Sequence, residues 1–202
     1  MKGTSAMLPL LQFARALDFA ARKHADQRRK GPQAEPYLNH LAEVARLVAD
    51  ATDGADTVAV LAALLHDTLE DTDTTHADLE AHFGLEVASV VAEVTDDKSL
   101  PKAERKRRQV ENAPGRSHRG RLVKLADKTS NLRSLAISPP VGWAYERRLE
   151  YFTWAKSVVD GIRGTSPFLE SLFDQAWRQG MRDLIPPSGP QPHNPLAPRG
   201  PD

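Results

Sequence analysis

Apolar residues recur at helical spacing along most of this chain. Leu10, Phe13, Ala14, Leu17, Ala20 and Ala21 define one amphipathic helix. The basic run Arg22, Lys23, Arg28, Arg29 and Lys30 follows it, broken by Gly31-Pro32. Leu41, Val44, Ala45 and Val48 mark the inner face of a second helix, entered through Pro36-Tyr37-Leu38-Asn39-His40. The spacing predicts a third helix that starts near Asp56 and runs on through Leu61-Ala62-Ala63-Leu64-Leu65 to His66-Asp67-Thr68-Leu69-Glu70-Asp71. Thr75 and Asp78 have the spacing of a capping box for a short helix through Phe83, and Gly84 is a natural stop. Val87, Val90, Val91 and Val94 face inward on the next helix. A helix carrying Arg105, Lys106, Arg107 and Arg108 is expected to face solvent for the most part. Residues 121–135 form a helix that is apolar at Leu122, Leu125, Ala126 and Leu132, with Asp127 interrupting the pattern. A long helix with Trp143, Tyr151, Phe152, Ala155, Val158, Val159 and Ile162 ends at Gly164. Ser166 as N-cap and Pro167 at the first helical position open the last, which reaches about Leu184. No stretch shows β alternation, so the fold class is all-α.

Length and composition narrow the picture. The 202 residues suffice for one domain with a well-buried core. We divide them into an N-terminal extension (1–9), a helical domain (10–184) and a tail (185–202) whose seven prolines predict disorder. Formal net charge is zero, so no global basic field points to a nucleic-acid polymer. The start lacks a basic segment followed by an apolar one, and no window approaches the roughly 20 apolar residues of a membrane span. The expectation is a soluble, cytoplasmic protein. With no cysteine, metal ligands must be His, Asp or Glu, which suits Mn, Fe, Zn or Mg.

The chemistry concentrates at residues 66–71. On a continuous helix His66 lies one turn from Glu70 and Asp67 one turn from Asp71, about 5–6 Å between Cβ atoms. The two stacks are about 100° apart around the axis, so an imidazole and three carboxylates share one edge. An ordinary acidic helix end with a hydrogen-bonded core histidine would produce the same letters. Carboxylates at a helix C-terminus are, however, poorly placed for the macrodipole, which calls for a compensating cation. Asp127 beside an inward face costs several kcal/mol unless it is paired or bound to a metal. Lys124 or Lys128 is its candidate ion-pair partner, and Asn131 lies one turn on. His40, His66-Asp67 and Asp127 on three helices make a reasonable divalent-metal set.

That ordered set resembles the H…HD…D pattern of HD-domain metal-dependent phosphohydrolases. The segments Phe19-Ala20-Ala21-Arg22-Lys23-His24 and Tyr37-Leu38-Asn39-His40, residues 62–75, Glu93-Val94-Thr95-Asp96-Asp97-Lys98 and Leu122-Val123-Lys124-Leu125-Ala126-Asp127-Lys128 look like the hydrolase domain of RelA/SpoT proteins. More specifically, they resemble the stand-alone small alarmone hydrolases of the Mesh1 type, over roughly residues 10–183. The resemblance implies an all-α HD bundle with a central metal site and hydrolysis of guanosine 3′,5′-bis(pyrophosphate), (p)ppGpp, to GDP or GTP and pyrophosphate. By the same resemblance one Mn²⁺ is held by His40, His66, Asp67 and Asp127, and Glu70 and Asp71 form the catalytic acidic pair. Arg29, Lys30, Asn131, Arg147 and Tyr151 match positions that line the nucleotide pocket. Two departures stand out. Thr129-Ser130 occupies a gap where the family commonly has an aromatic residue before Asn131, and Leu69 replaces a more usual Val.

Two other functions share these residues. A phosphatase acting on NADPH or another 2′- or 3′-phosphorylated nucleotide would use the same metal centre and release phosphate instead of pyrophosphate. A non-catalytic nucleotide-binding sensor would have lost a ligand or Glu70/Asp71, and none is missing.

Overall fold

The computed structural model describes residues 9–184. The expected extension, apart from Pro9, and the Pro-rich tail lie outside the described residues. Ten α-helices order the described chain: α1 (Pro9–Lys23), α2 (Leu38–Ala51), α3 (Thr57–Leu65), α4 (Thr68–Asp71), α5 (His76–Phe83), α6 (Leu85–Val94), α7 (Lys102–Asn112), α8 (His118–Ile137), α9 (Tyr145–Asp160) and α10 (Pro167–Leu184). A 3₁₀ turn, Ala113–Gly115, joins α7 to α8. Among the described residues there is no strand, only a single antiparallel bridge between Arg28 and Pro36. The all-α reading holds.

Two helices organise the bundle. α3 is apolar on every side after Thr57 and buried over most of its length, as an Ala/Leu/Val helix must be to be stable in water. It packs against α1, α2, α6 and α8. α8 is the second spine, touching α2, α3, α6, α9 and α10. It starts earlier than the apolar spacing indicates, because Ser117 caps it by accepting the Gly120 amide at 3.0 Å. One close approach fixes the outer layer: a Cβ on Gly180 of α10 would collide with the Phe152 ring of α9, so only glycine lets these helices meet there.

Local signals placed several ends correctly. Asp56 caps α3 by accepting from the Ala59 amide at 3.0 Å. Thr75 and Asp78 form both halves of the capping box. Gly84 separates α5 from α6 at φ +87°, which a side chain would strain.

The third helix departs from expectation. It ends at Leu65 rather than continuing to Asp71, and Asp67 takes up φ −99°, ψ −2° before α4 begins. The cause is side chains capturing backbone carbonyls. His66 Nδ1 donates to Ala63 O at 2.8 Å, and the Thr68 hydroxyl donates to Leu65 O at 2.7 Å. Both carbonyls are thereby satisfied without a continuing helix.

Candidate metal centre and the cavities beside it

His40 sits in the first turn of α2, His66 and Asp67 at the break between α3 and α4, and Asp127 in the middle of α8. One donor atom each from His40, His66 and Asp67 lie within 4.8 Å of one another. Asp67 Oδ2 is 3.1 Å from His66 Nε2 and 3.7 Å from His40 Nε2. Asp127 Oδ1 lies 3.4 Å from His40 Nε2 and 3.8 Å from His66 Nε2. Three of the four expected ligands, His40, His66 and Asp67, thus form one cluster, and Asp127 borders it through its approach to both imidazoles.

Hydrogen bonding fixes which imidazole atom faces that point. A carbonyl only accepts, so His66 Nδ1 bears the proton in its bond to Ala63 O, and its Nε2 presents a lone pair. That Nε2 is buried and has no hydrogen-bond partner. His40 likewise meets Ser130 through Nδ1, at 2.9 Å. A buried nitrogen without a partner, beside two carboxylates, fits a divalent cation.

The electrostatics agree. Burial works against ionising Asp67 and Asp127, yet their polar neighbours outweigh it. The His66 and His40 imidazoles hold Asp67 well below the usual carboxylate range, and Lys128 with the same imidazoles does so for Asp127. Burial likewise lowers the His40 pKa. For His66 burial is outweighed by the Asp67 carboxylate, and the pKa rises. A field that attracts a proton to His66 also attracts a metal cation in its place.

Asp127 also has the ion pair expected of it. Lys128 Nζ is 3.0 Å from Oδ2, whereas no bond joins Asp127 to Lys124. Asn131 donates to Oδ1 at 2.5 Å and accepts from Arg29 Nη2 at 3.1 Å, which links the pocket arginine to the metal centre.

The three carboxylates of residues 66–71 do not share one edge. Asp67 turns to the imidazoles, Glu70 accepts the Asp96 amide at 3.2 Å and faces Arg105 at 3.5 Å, and Asp71 pairs with Lys98. Part of the cation that the acidic helix end requires is therefore supplied by Lys98 and Arg105. Burial, then the charges of Asp96 and Asp67, push the Glu70 pKa up.

Two cavities adjoin the centre. One, of about 700 Å³, is walled by Arg28, Arg29, Tyr37, Asn131, Trp143 and Tyr151. The other, of about 1080 Å³, contains Glu70 and Asp71 under a crowd of cations: Lys98, Lys102, Arg105, Lys106 and Arg147. Lys30, Trp143 and Tyr151 border both. Arg29, Lys30, Asn131, Arg147 and Tyr151 thus all reach these walls. Arg147 stacks on Trp143 at 4.3 Å, and burial raises the Tyr151 phenol to about 12. Lys102 shows what the second cavity favours. Burial and then Arg147, Lys106 and Lys30 push its ammonium pKa down, a mutual repulsion that an anion would relieve.

Several of these groups were not singled out by sequence reasoning. Arg105 and Lys106 belong to the basic helix expected to face solvent, yet both line the cavity, while Arg107 and Arg108 on the other face pair with Glu104. The i, i+3, i+4 spacing puts Lys102, Arg105 and Lys106 on one face, but the opposite face is equally basic, so the spacing alone does not mark the inward one. Tyr37 donates to Asp67 Oδ2 at 2.6 Å and precedes His40 by three residues. Trp143 had been placed inside the long helix but lies before it, in the cavity wall.

A helical bundle that carries a His/His-Asp/Asp centre on three helices defines an HD-domain protein, and the chain belongs to the HD-domain family, whose profile matches residues 16–150. Within it, the chain belongs to the MESH1 group. It is 50% identical over 174 residues to the Drosophila melanogaster protein named guanosine-3′,5′-bis(diphosphate) 3′-pyrophosphohydrolase MESH1, covering 86% of this chain and 97% of that one. It is 53% identical over 168 residues to the human protein of that name, covering 83% and 94%. Among solved structures, one described as a metazoan orthologue of SpoT that hydrolyses ppGpp superposes with a TM-score of 0.81 at 50% identity, covering 86% of this chain and 97% of that one. No described helix is long and apolar enough to cross a membrane.

Proposed function

We propose that this chain is a metal-dependent hydrolase that removes the 3′-pyrophosphate of ppGpp or pppGpp, with one Mn²⁺ held by His40, His66, Asp67 and Asp127. The observation that carries the reading is the meeting of these four side chains beside the cation-lined cavity that contains Glu70 and Asp71. The MESH1 relatives, matched over nearly their whole length, point to the same substrate. When bound, the divalent ion neutralises charge on the phosphoryl oxygens and lowers the pKa of water.

The residues divide the remaining work. Lys98, Lys102, Arg105, Lys106 and Arg147 hold the 3′-pyrophosphate by charge-assisted contacts. Tyr37, Trp143 and Tyr151, with Arg29 and Lys30, line the space for the nucleoside and its 5′-phosphates. Glu70, with its raised pKa, accepts the proton of the attacking water, while Asp71 is kept oriented by Lys98. The water oxygen bonds to the phosphorus attached to O3′, and the P–O3′ bond breaks. Its electron pair stays on O3′, which takes up a proton, giving GDP or GTP and pyrophosphate.

The test is hydrolysis of ppGpp by metal-stripped protein with and without Mn²⁺, resolving pyrophosphate from orthophosphate, beside Asp67→Ala. Mn²⁺-dependent pyrophosphate release, lost in the variant, is expected. A folded, Mn²⁺-loaded chain that leaves ppGpp intact would overturn the assignment; orthophosphate release from NADPH under the same conditions would put the phosphatase in its place.

A further inference from the structure

We propose that Ser130 and Glu43 are positioning residues that lock His40 with its Nε2 lone pair aimed at the metal centre. The inference rests on the metal-binding reading above and assigns work to residues which that reading leaves out.

Proton direction decides the matter. Arg133 Nη1 donates to Glu43 Oε1 at 2.9 Å, and the Ser130 hydroxyl donates to Glu43 Oε2 at 2.7 Å. Burial alone would raise the Glu43 pKa, but its bonds from Ser130 and Arg133 outweigh that and hold it low, so it stays an acceptor. A serine has one hydroxyl proton, and Glu43 takes it. Toward His40 Nδ1, 2.9 Å away, Ser130 can then only accept. His40 is left with hydrogen on Nδ1 and a lone pair on Nε2, the atom that faces Asp127 at 3.4 Å and Asp67 at 3.7 Å.

The relay is built economically from two helices. Glu43 follows His40 by three residues on α2, and Ser130 follows Asp127 by three on α8, so each positioning residue shares a helix with a ligand. The chain of bonds runs from the half-exposed Arg133 to Ser130 and His40, both buried. His66 reaches the same state by another device, a backbone carbonyl that no substitution at Ala63 removes. His40 depends on side chains alone.

Ordered outer contacts of this kind are worth roughly 10–100-fold in metal affinity. The full chain, metal-free, would be compared as wild type, Ser130→Ala, Ser130→Thr and Glu43→Ala. Long-range ¹H–¹⁵N NMR reads the His40 tautomer, calorimetric titration reads Mn²⁺ affinity, and thermal melting confirms folding. Ser130→Ala is expected to lose the Nδ1–H signature of His40 and about 10–100-fold in Mn²⁺ affinity, and Ser130→Thr to restore both. Glu43→Ala, which frees Ser130 to donate to His40, is expected to weaken Mn²⁺ binding and to carry the test if Ser130→Ala does not fold. Unchanged tautomer and unchanged affinity in the folded variants would overturn the relay. If wild type itself bound no Mn²⁺, the metal reading would fall, while the tautomer comparison would still decide the relay.

Discussion

The Tyr37 hydroxyl donates to Asp67 Oδ2 over 2.6 Å, and that same oxygen faces the imidazoles of His66 and His40. Tyr37 therefore sets the rotation of the Asp67 carboxylate. Burial, and then the Asp67 charge, push the phenol pKa far up, so the group remains a donor throughout the working pH range. Its ring has separate duties, stacking on His24 at 5.3 Å and meeting His40 edge-on at 5.5 Å. Tyr37→Phe keeps the ring and removes the donor. We predict Mn²⁺ affinity weaker by roughly 10–100-fold with the fold intact, read by calorimetric titration. Wild-type affinity would leave Tyr37 only a packing role.

Glu70 gives a pH prediction whose sign follows from its surroundings. Its pKa is raised by burial and by the charges of Asp96 and Asp67. A general base works only when ionised, so kcat should fall as pH drops through this raised value. The acid limb of the profile then lies above the ordinary glutamate value of about 4.3. Glu70→Gln should lower kcat by roughly 10²–10⁴-fold and remove that limb, with Mn²⁺ affinity kept. If the limb persists with wild-type turnover, Asp71 becomes the candidate base.

The sequence made the helices legible because they depend on spacing, and the order His40, His66-Asp67 pointed to side chains that the fold brings together. Helix faces follow from apolar recurrence, and caps such as Asp56 and Thr75 bond to amides three residues away. What spacing could not show was competition for carbonyls. The His66 and Thr68 side chains end α3 early, and the break sends Asp67, Glu70 and Asp71 to three different partners. Pairs distant in sequence were equally hidden, as with Ser130 and Glu43 or Asp71 and Lys98. The two faces of α7 carry the same kinds of side chain, and only packing against α9 tells which of them turns inward.

Asp56 separates a folding role from the chemistry. It accepts from the Ala59 amide and from Arg119 Nε at 2.8 Å, so it caps α3 and ties it to α8. Burial opposes its charge, but Arg119 and the cap amide outweigh that and hold its pKa below 3.8. A depressed carboxyl pKa stabilises the fold above the unfolded value, and the benefit is lost as pH falls through the folded one. Asp56→Ala should cost about 0.5–2 kcal/mol near neutral pH, with wild type and variant converging in strong acid. Urea melts across pH would show this. A difference that did not shrink in acid would mean that the ionised carboxylate contributes nothing.

The basic helix α7 supplies its own control for the anion cavity. Lys102, Arg105 and Lys106 line the cavity, whereas Arg107 is exposed on the outer face and paired with Glu104 and Glu111. If the cavity holds the substrate's pyrophosphate, Lys102→Met and Lys106→Met should each raise KM for ppGpp about three- to tenfold, the scale of roughly 1 kcal/mol of screened attraction. Turnover should change little, because these contacts exist in ground and transition states alike. Arg107→Met removes the same charge from the same helix and should leave KM unchanged. The KM effects should also shrink as salt rises, since the Debye length falls from about 10 Å at 0.1 M to about 3 Å at 1 M. Equal effects from both faces would assign the attraction to the helix's overall charge and not to the cavity.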